Sequence, residues 1–359
     1  MHNARRLPVL VTHSRPARKL PMDMTDNDLV LVTGATGLVG SHFAERARQQ
    51  GWNVRALVRP GTDASLLENW GVDIARGQLD DSASLAAATN GVSVIVHCAA
   101  KVGDWGPTED YRRINVGGVE ALLNAATDNG LLKKFIHVSS LGVYEARDHH
   151  GTDEHEQPST RGIDGYTLTK VESELVVRRR IDERGLPGVI LRPGFIYGPR
   201  DRTVLPRIFE RLKTGKFAFL GSPDKLMNNT FVGNLCDAIF LALTNDSAEG
   251  QTFNIRDPRL VSKEEFIVTL AERAGYERPT KVVPLPIARA LARLLEGLYK
   301  ILGKTEAPIL SNARIKFLGL NLDYSIEKAK RELGYTGNRD FSEAMPETVD
   351  WFRDNHLLP

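Results

Sequence analysis

Residues 29–40 read LVLVTGATGLVG, and this stretch decides the fold. Its first five residues are mostly aliphatic or β-branched, which predicts a buried strand. Glycines at positions 34, 37 and 40 follow at once with the spacing G-x-x-G-x-x-G. Glycine allows positive φ and close approach to a ligand, and a helix beginning near residue 38 presents free N–H groups to a phosphate. The stretch predicts a binding site for a dinucleotide pyrophosphate; the alternative is that the glycines serve packing alone.

The composition is that of an ordinary globular protein. The chain has 359 residues and a net charge of +2, from 47 basic and 45 acidic side chains, so no nucleic-acid footprint is expected. No apolar run reaches the roughly 18 residues of a membrane span. Cys98 and Cys236 lack metal-ligand spacing, which fits a reducing cytoplasm. Residues 1–28 are predicted to be a disordered leader, with Met22 or Met24 as an alternative translation start.

After the glycine turn, the pattern alternates between strands and helices as far as residue 192. Such alternation demands right-handed crossovers and a parallel sheet covered on both faces. The predicted fold is α/β, a doubly wound parallel sheet of the Rossmann type over residues 29–200, with a smaller, mainly helical substrate lobe over 201–359 that returns in part to the sheet. Predicted strands are 52–58, 72–75, 93–97, 134–139 and 188–192; predicted helices are 41–50, 64–70, 82–89, 108–128, 166–183, 261–275, 286–303 and 325–334.

The end of the second strand indicates which coenzyme is used. An acidic residue there would bind the adenosine ribose hydroxyls and favour NAD. The chain has Arg59 at this point and no acid beside it. Because a guanidinium binds a phosphate through two hydrogen bonds, NADP(H) is the preferred cofactor, with NAD(H) as the other choice. The alternative is that Arg59 is simply a solvated side chain.

Residues 134–170 carry the chemistry. Tyr166 and Lys170 lie four apart and therefore share one helix face, and Ser140 ends the strand before them. A lysine ammonium beside a phenol lowers the pKa of the phenol, which predicts that Tyr166 exchanges a proton with a substrate oxygen near neutral pH. The same spacing recurs at Tyr324 and Lys328, which we interpret as the start of an ordinary amphipathic helix because no serine-ended strand precedes it.

At this point the sequence resembles the extended short-chain dehydrogenase/reductases, from residue 29 to the C-terminus. The matching motifs are TGATGLVG, VSSLGVY, YTLTK and LRPGFIYGP. The resemblance implies that Ser140 and Tyr166 act on the substrate oxygen, that Lys170 also binds the nicotinamide ribose, and that no metal is needed. It further implies that Asn115 braces the central helix, and that the helices containing Asn115 and Tyr166 form a homodimer.

The resemblance also implies a set of cofactor-binding residues along the sheet. Gln78 departs from the family pattern, in which an aspartate faces the adenine amino group; an amide can accept the same hydrogen bond. The implied cofactor-binding residues are Gly34, Thr36, Gly37, Leu38, Val39, Gly40, Arg59, Gln78, Leu79, Ala99, Ala100, Lys101, Tyr166, Lys170, Pro193 and Phe195.

Two positions distinguish branches of the family. Nucleotide-sugar epimerases and dehydratases typically carry an asparagine where this chain has Phe195, and a diphosphate-binding arginine where it has Met227. Residues 229–238 resemble the 3β-hydroxysteroid dehydrogenase branch, and residues 99–106 resemble 2-alkyl-3-oxoalkanoate reductases. These resemblances imply hydride transfer to or from a 3-oxo or 3-hydroxy group of a hydrophobic substrate such as a steroid, a 2-alkyl-3-oxo acid or a flavonol. The alternatives are a nucleotide-sugar epimerase or dehydratase, and a non-catalytic NADP(H) sensor.

Two features of the expected substrate side stay open. Trp105 is either a substrate-loop residue or a packed aromatic. Residues 286–303 carry an apolar stripe flanked by Arg289, Arg293 and Lys300. Such a helix either packs its stripe on the core or lies on a membrane surface.

Overall fold

The computed structural model describes residues 27–127, 130–161 and 164–359. The strands are β1 (Leu29–Thr33), β2 (Asn53–Val58), β3 (Asp73–Arg76), β4 (Val94–His97), β5 (Lys134–Val138), β6 (His149–Thr152), β7 (Gly188–Pro193), β8 (Phe195–Tyr197), β9 (Phe219–Leu220), β10 (Leu226–Met227), β11 (Asn229–Phe231), β12 (Thr252–Ile255), β13 (Val261–Ser262), β14 (Val282–Val283) and β15 (Leu322–Tyr324). The helices are α1 (Leu38–Gln49), α2 (Ser65–Asn69), α3 (Ser82–Thr89), α4 (Thr108–Arg112), α5 (Gly118–Thr127), α6 (Gly165–Arg184), α7 (Leu205–Lys213), α8 (Val232–Thr244), α9 (Lys263–Ala274), α10 (Leu285–Ile301), α11 (Asn312–Gly319) and α12 (Phe341–Asp354).

The predicted doubly wound sheet is confirmed. Seven parallel strands follow the order β12-β7-β5-β4-β1-β2-β3. One face packs against α1, α2 and α8, and the other against α3, α5 and α6. Both faces are buried, so the central strands are continuous apolar runs.

The C-terminal part of the chain returns to this sheet through two elements. Strand β12 extends the sheet by pairing with β7, and helix α8 packs beneath the central strands. A separate core, which includes Phe209, Phe266 and Phe352, joins α7, α9 and α12. The division into residues 29–200 and 201–359 stays a prediction, with β12 and α8 as the returning elements.

Several local predictions need correction. The predicted leader lies outside the described residues except for Asn27 and Asp28. The Asp28 carboxylate is buried and accepts hydrogen bonds from Ser93 Oγ (2.7 Å) and Lys133 Nζ (2.8 Å), so it belongs to the folded domain. The helix predicted over 108–128 is interrupted by wider π-type turns at Arg113–Gly117, and its last residue lies outside the described part.

The segment that contains the second tyrosine–lysine pair also differs from expectation. Tyr324 ends strand β15 and is buried, because β15 pairs with β6 in a small second sheet. Helical turns begin only after Ile326 and pass into π-type turns at Ala329–Leu333. The predicted amphipathic helix over 325–334 is therefore shorter than expected.

Candidate active site

The parallel sheet brings the predicted site residues to one edge. Most lie at or just after the carboxyl end of a strand, and the others lie on α1 and α6. This edge is where open α/β sheets bind ligands. From the strand order, the row runs from Pro193 (β7) through Ser140 (β5), Ala99 (β4) and Gly34 (β1) to Arg59 (β2), with Gln78 after β3. The topological switch point lies between β1 and β4.

The glycine turn closes tightly against the chain only because Gly34 and Gly40 have no side chains. Gly34 has φ +69°, and a Cβ there would lie 2.8 Å from the backbone nitrogen of Ala99. A Cβ on Gly40 would lie 2.4 Å from the carbonyl oxygen of Gly34. The first N–H groups of α1, at Leu38 and Val39, have no partner within the helix and face this edge without a side-chain cap. This cradle fits a dinucleotide pyrophosphate.

The expected adenosine end is open to solvent. Arg59 follows β2, its side chain is exposed, and its carbonyl oxygen accepts a hydrogen bond from Thr62 N (3.1 Å). Gln78 is also exposed, and its backbone is fixed by the hydroxyl of Ser84. Leu79 is buried, where it packs against α5. Two adaptable polar side chains therefore border this end of the row.

The three predicted catalytic side chains come together at the other end. Ser140 follows β5, and its Oγ accepts a hydrogen bond from Gly142 N (3.0 Å). The serine hydroxyl also lies beside the phenol of Tyr166 and acts to lower the pKa of that phenol. Lys170, one turn further along α6, is buried, and its Nζ donates to the carbonyl oxygen of Val138 (2.8 Å). The serine, the phenol and the ammonium thus converge beside the end of β5.

The protonation of this group differs from the sequence-based expectation. Burial, reinforced by Asp164, raises the pKa of Tyr166 to about 12, while the hydrogen bond with Ser140 opposes the rise. Burial also lowers the pKa of Lys170 to about 8. The predicted lowering of the Tyr166 pKa by Lys170 is not found, because desolvation dominates and raises this pKa instead. Tyr166 therefore keeps its proton at neutral pH and is poised as a donor.

Asn115 braces the site from the π-type turns. Its Oδ1 accepts a hydrogen bond from Lys101 N (2.7 Å), and its Nδ2 donates to Lys101 O and to Thr169 Oγ1, each at 3.0 Å. The loop after β4, which contains Ala99 and Ala100, is thereby fixed to helix α6. The extra turn width places the amide between the two elements, a use typical of π-type turns at functional sites.

Comparison with known proteins agrees with this geometry. Residues 30–255 match the NAD dependent epimerase/dehydratase family. The chain belongs to this family. A ketoreductase from Stigmatella aurantiaca, named for 4-hydroxy-2-methyl-3-oxo-4-farnesyl-3,4-dihydroquinoline-1-oxide, is 30% identical over 85% of this chain and 91% of its own length. The 3β-hydroxysteroid dehydrogenase/Δ5→4-isomerase of Mycobacterium tuberculosis is 30% identical over 91% of this chain and 92% of its own length.

Further relatives place the chain in the 3β-hydroxysteroid dehydrogenase-like branch of the epimerase/dehydratase family. The 2-alkyl-3-oxoalkanoate reductase of Shewanella oneidensis is 27% identical over 88% of this chain and 84% of its own length. Among solved structures, that of gox2253 has a TM-score of 0.79 at 29% identity. The superposition covers 92% of this chain and 100% of the gox2253 chain. The chain is thus an NAD(P)-dependent dehydrogenase or reductase with an extended short-chain dehydrogenase/reductase fold.

The positions that separate branches of the family lie in apolar surroundings. Phe195 is half-buried, and its ring meets Phe266 edge-on with centroids 5.6 Å apart. Met227 is buried in the core of the lobe, and Pro193 is buried at the end of β7. Neither the asparagine nor the diphosphate-binding arginine typical of sugar-nucleotide enzymes is present at positions 195 and 227.

Two residues near the site were missed by the sequence analysis. Lys316 of α11 is buried, and its Nζ donates to the carbonyl oxygens of Gly142 and Tyr144, the latter at 2.8 Å. Asp164 caps α6 by accepting from Thr167 N (2.8 Å), and its charge raises the pKa of Tyr166. The capping pattern D-x-x-T over residues 164–167, which includes Tyr166, could have revealed Asp164. No local motif marks Lys316, because its partners lie about 170 residues earlier in the chain.

Helix α6 is anchored to the sheet by a buried ion pair below Lys170. The guanidinium of Arg192 donates to both carboxylate oxygens of Glu174, at 2.6 to 3.1 Å, and also to Tyr144 Oη (2.8 Å). Removing one partner of such a pair leaves an uncompensated charge and typically costs about 3–5 kcal/mol. This anchor fixes the helix that carries Tyr166 and Lys170.

Proposed function

We propose that the chain transfers a hydride between NADP(H) and a 3-oxo or 3-hydroxy group of a hydrophobic molecule, and that reduction is the direction its resting protonation favours. The observation that carries the proposal is the convergence of Ser140, Tyr166 and the buried Lys170 beside the end of β5. Burial raises the pKa of Tyr166, so the phenol keeps its proton at neutral pH. A protonated phenol is the donor that a carbonyl oxygen needs when its carbon accepts a hydride.

Each side chain then has one task. The bound nicotinamide supplies or accepts the hydride. Ser140 Oγ and Tyr166 Oη hydrogen-bond the substrate oxygen, and Tyr166 passes its proton from Oη to that oxygen as negative charge develops there. Lys170, as an ammonium, stabilises the phenolate that remains and binds the ribose. Asn115 holds the loop after β4 against α6 and thereby acts as a positioning residue.

The apolar positions support a hydrophobic substrate. Phe195 and Met227 occupy the places at which an asparagine and an arginine are typical of sugar-nucleotide enzymes. Relatives named for a farnesylated quinoline oxide, a 3β-hydroxysteroid and a 2-alkyl-3-oxoalkanoate share a bulky apolar skeleton with an oxygen to be reduced or oxidised. We therefore place the substrate of this chain in the same chemical class.

The choice of NADP(H) over NAD(H) rests on Arg59. Its exposed guanidinium lies at the end of β2, and among the described residues its side chain has no hydrogen-bond or ion-pair partner. A 2′-phosphate on the adenosine ribose would accept two charge-assisted hydrogen bonds from the Arg59 guanidinium.

Assembly and location are further parts of the proposal. A homodimer would form through α5 and α6, where Leu175 is an exposed apolar side chain of α6. Residues 286–303 would contact a membrane surface from the cytoplasm. Light scattering of the purified protein would test the dimer, with a monomer at micromolar concentration as the contrary result.

The test of the function follows the consumption of NADPH and of NADH with a panel of substrates. The panel contains a 2-alkyl-3-oxo acid, a 3-oxosteroid, a dihydroflavonol and a UDP-hexose, with Tyr166→Phe as the control. Turnover of an apolar ketone that is lost in the variant is expected. Epimerisation of the UDP-hexose with retained NAD would instead favour the sugar-nucleotide function, and tight NADPH binding without any turnover would favour a sensor.

A further inference from the structure

Helix α10 exposes an apolar stripe that the rest of the described chain does not cover. Its members follow the spacing 4-3-4-3 and therefore share one face of the helix. Their exposed fractions range from 42% to 85%. The stripe consists of Ile287, Leu291, Leu294, Leu298 and Ile301. A contiguous patch of this kind on a soluble domain marks an interaction surface.

A different face attaches the helix to the protein. The fully buried side chains of α10 are Ala288 and Ala292, which pack against Leu220 and Ile315. The small alanine side chains allow the helix to lie close to the lobe. The large apolar residues of the stripe take no part in this attachment. Packing on the core, the alternative that the sequence left open, is therefore not the role of the stripe.

The third face of α10 is cationic. Arg289, Arg293 and Lys300 are exposed. The acid of the helix, Glu296, accepts hydrogen bonds from Asn312 N and Nδ2, each at 2.7 Å, and so turns toward the protein. The solvent-facing charge is thus positive beside a broad apolar stripe, which is complementary to an anionic lipid surface.

The C-terminal end of α10 contacts the loop that follows β4. Trp105 Nε1 donates to the carbonyl oxygen of Lys304 (2.9 Å), and its ring meets that of Tyr299 edge-on with centroids 6.2 Å apart. Asp104 of the same loop pairs with Arg314 Nε (2.5 Å) of α11. Helix α11 also carries Lys316, which reaches the segment after Ser140. The stripe therefore lies on the part of the lobe that borders the candidate active site.

We propose that α10 docks on an anionic phospholipid bilayer. The stripe enters the boundary between headgroups and acyl chains, while the three cations bind the headgroup phosphates. None of the helices in the described ranges is long and apolar enough to cross a bilayer, so α10 lies parallel to the surface. Resting on the proposed function, this placement lets a hydrophobic substrate pass from the lipid to the Trp105 loop without crossing water.

The test is sedimentation of the full chain with vesicles. We expect binding to vesicles of phosphatidylserine and phosphatidylcholine at low salt, and at least about tenfold less binding to phosphatidylcholine alone. The variant Leu294→Ser/Ile301→Ser should lose about tenfold of this binding, whereas Leu131→Ser, an exposed leucine before β5, should lose none.

A second variant, which removes the cationic side chains of α10, tests the docking proposal without changing the apolar stripe. Arg289→Gln/Arg293→Gln/Lys300→Gln should bind about tenfold more weakly, and Arg179→Gln/Arg184→Gln/Arg273→Gln, which removes the same charge elsewhere, should bind as the unmodified chain. Thermal unfolding of each variant monitors its fold. Equal binding by the stripe and control variants, or no binding to either vesicle, would overturn the proposal. Self-association that the stripe variant abolishes in the absence of vesicles would assign the surface to a second copy.

Measuring turnover distinguishes failure of the docking proposal from failure of the proposed function. Reduction of a water-soluble ketone without vesicles should be unchanged in the stripe variant, because none of its residues borders Ser140 or Tyr166. Vesicle binding without ketone reduction would leave the docking in place and remove the function. Ketone reduction without vesicle binding would support the proposed function and overturn the docking proposal.

Discussion

The two ends of the candidate cofactor site differ in how tightly the protein holds their side chains. At the end that contains Ser140 and Tyr166, Lys170 is buried and hydrogen-bonded to the sheet, and Asn115 fixes the neighbouring loop. At the adenosine end, Arg59 and Gln78 are exposed. Under the proposed function, the difference teaches that the chemistry depends on a preorganised buried group, whereas coenzyme selectivity depends on side chains that can change at little cost to the fold.

The largest effect is expected at the buried end. Tyr166→Phe removes the proton donor but keeps the ring, so kcat should fall by about 10³-fold. Steady-state reduction of the best apolar ketone measures the loss. The dissociation constant of NADPH, followed by fluorescence, should stay within about threefold, since the phenyl ring still fills its place. Retention of more than a tenth of the activity would remove Tyr166 from the role of acid.

The next largest effect is expected at the exposed end. Arg59→Ser should lower the ratio of kcat/KM for NADPH over NADH by about 10- to 100-fold, because a charge-assisted hydrogen-bonded pair with the 2′-phosphate contributes about 1.5–3 kcal/mol. Arg179→Ser, which removes an exposed arginine from α6, is the matched control. An unchanged ratio would mean that Arg59 is only a solvated side chain.

A pH profile tests the protonation of the buried end. Because burial lowers the pKa of Lys170 to about 8, the ammonium is present below that pH and is lost above it. The pKa of Tyr166, about 12, keeps the phenol protonated throughout. We expect kcat/KM for reduction to be level below about pH 7 and to fall by up to about tenfold per pH unit above the Lys170 pKa. Circular dichroism at each pH separates this fall from unfolding; a level profile to about pH 10 would contradict it.

The smallest effect is expected at Gln78. Gln78→Ala removes one neutral, solvent-exposed hydrogen bond to the adenine, which contributes about 0.5–1 kcal/mol. The KM for the coenzyme should rise by about two- to fivefold with kcat unchanged. A matched substitution at the exposed Asn90, beyond α3, should leave both constants unchanged. A larger fall in kcat would show that the adenosine end influences the reacting end.

Prediction from the sequence succeeded where a property depends on neighbours in the chain. The glycine turn, the alternation of strands and helices to β7, and the convergence of Ser140, Tyr166 and Lys170 follow from local spacing and from the parallel sheet. It did not succeed for β15, where Tyr324 pairs across to β6, because the Y-x-x-x-K spacing suggested a helix. It also could not find Lys316, whose partners are remote in sequence.

The sequence by itself determined the fold and the family, and it predicted which side chains meet at the candidate site, since spacing along strands and helices determines which residues reach one sheet edge. Only the tertiary structure decided the protonation of Tyr166, because desolvation depends on what the whole chain packs around a phenol. It also decided which face of α10 packs on the lobe. An apolar stripe of helical period fits either a core or a lipid surface, and only the packing of Ala288 and Ala292 shows which face the protein covers.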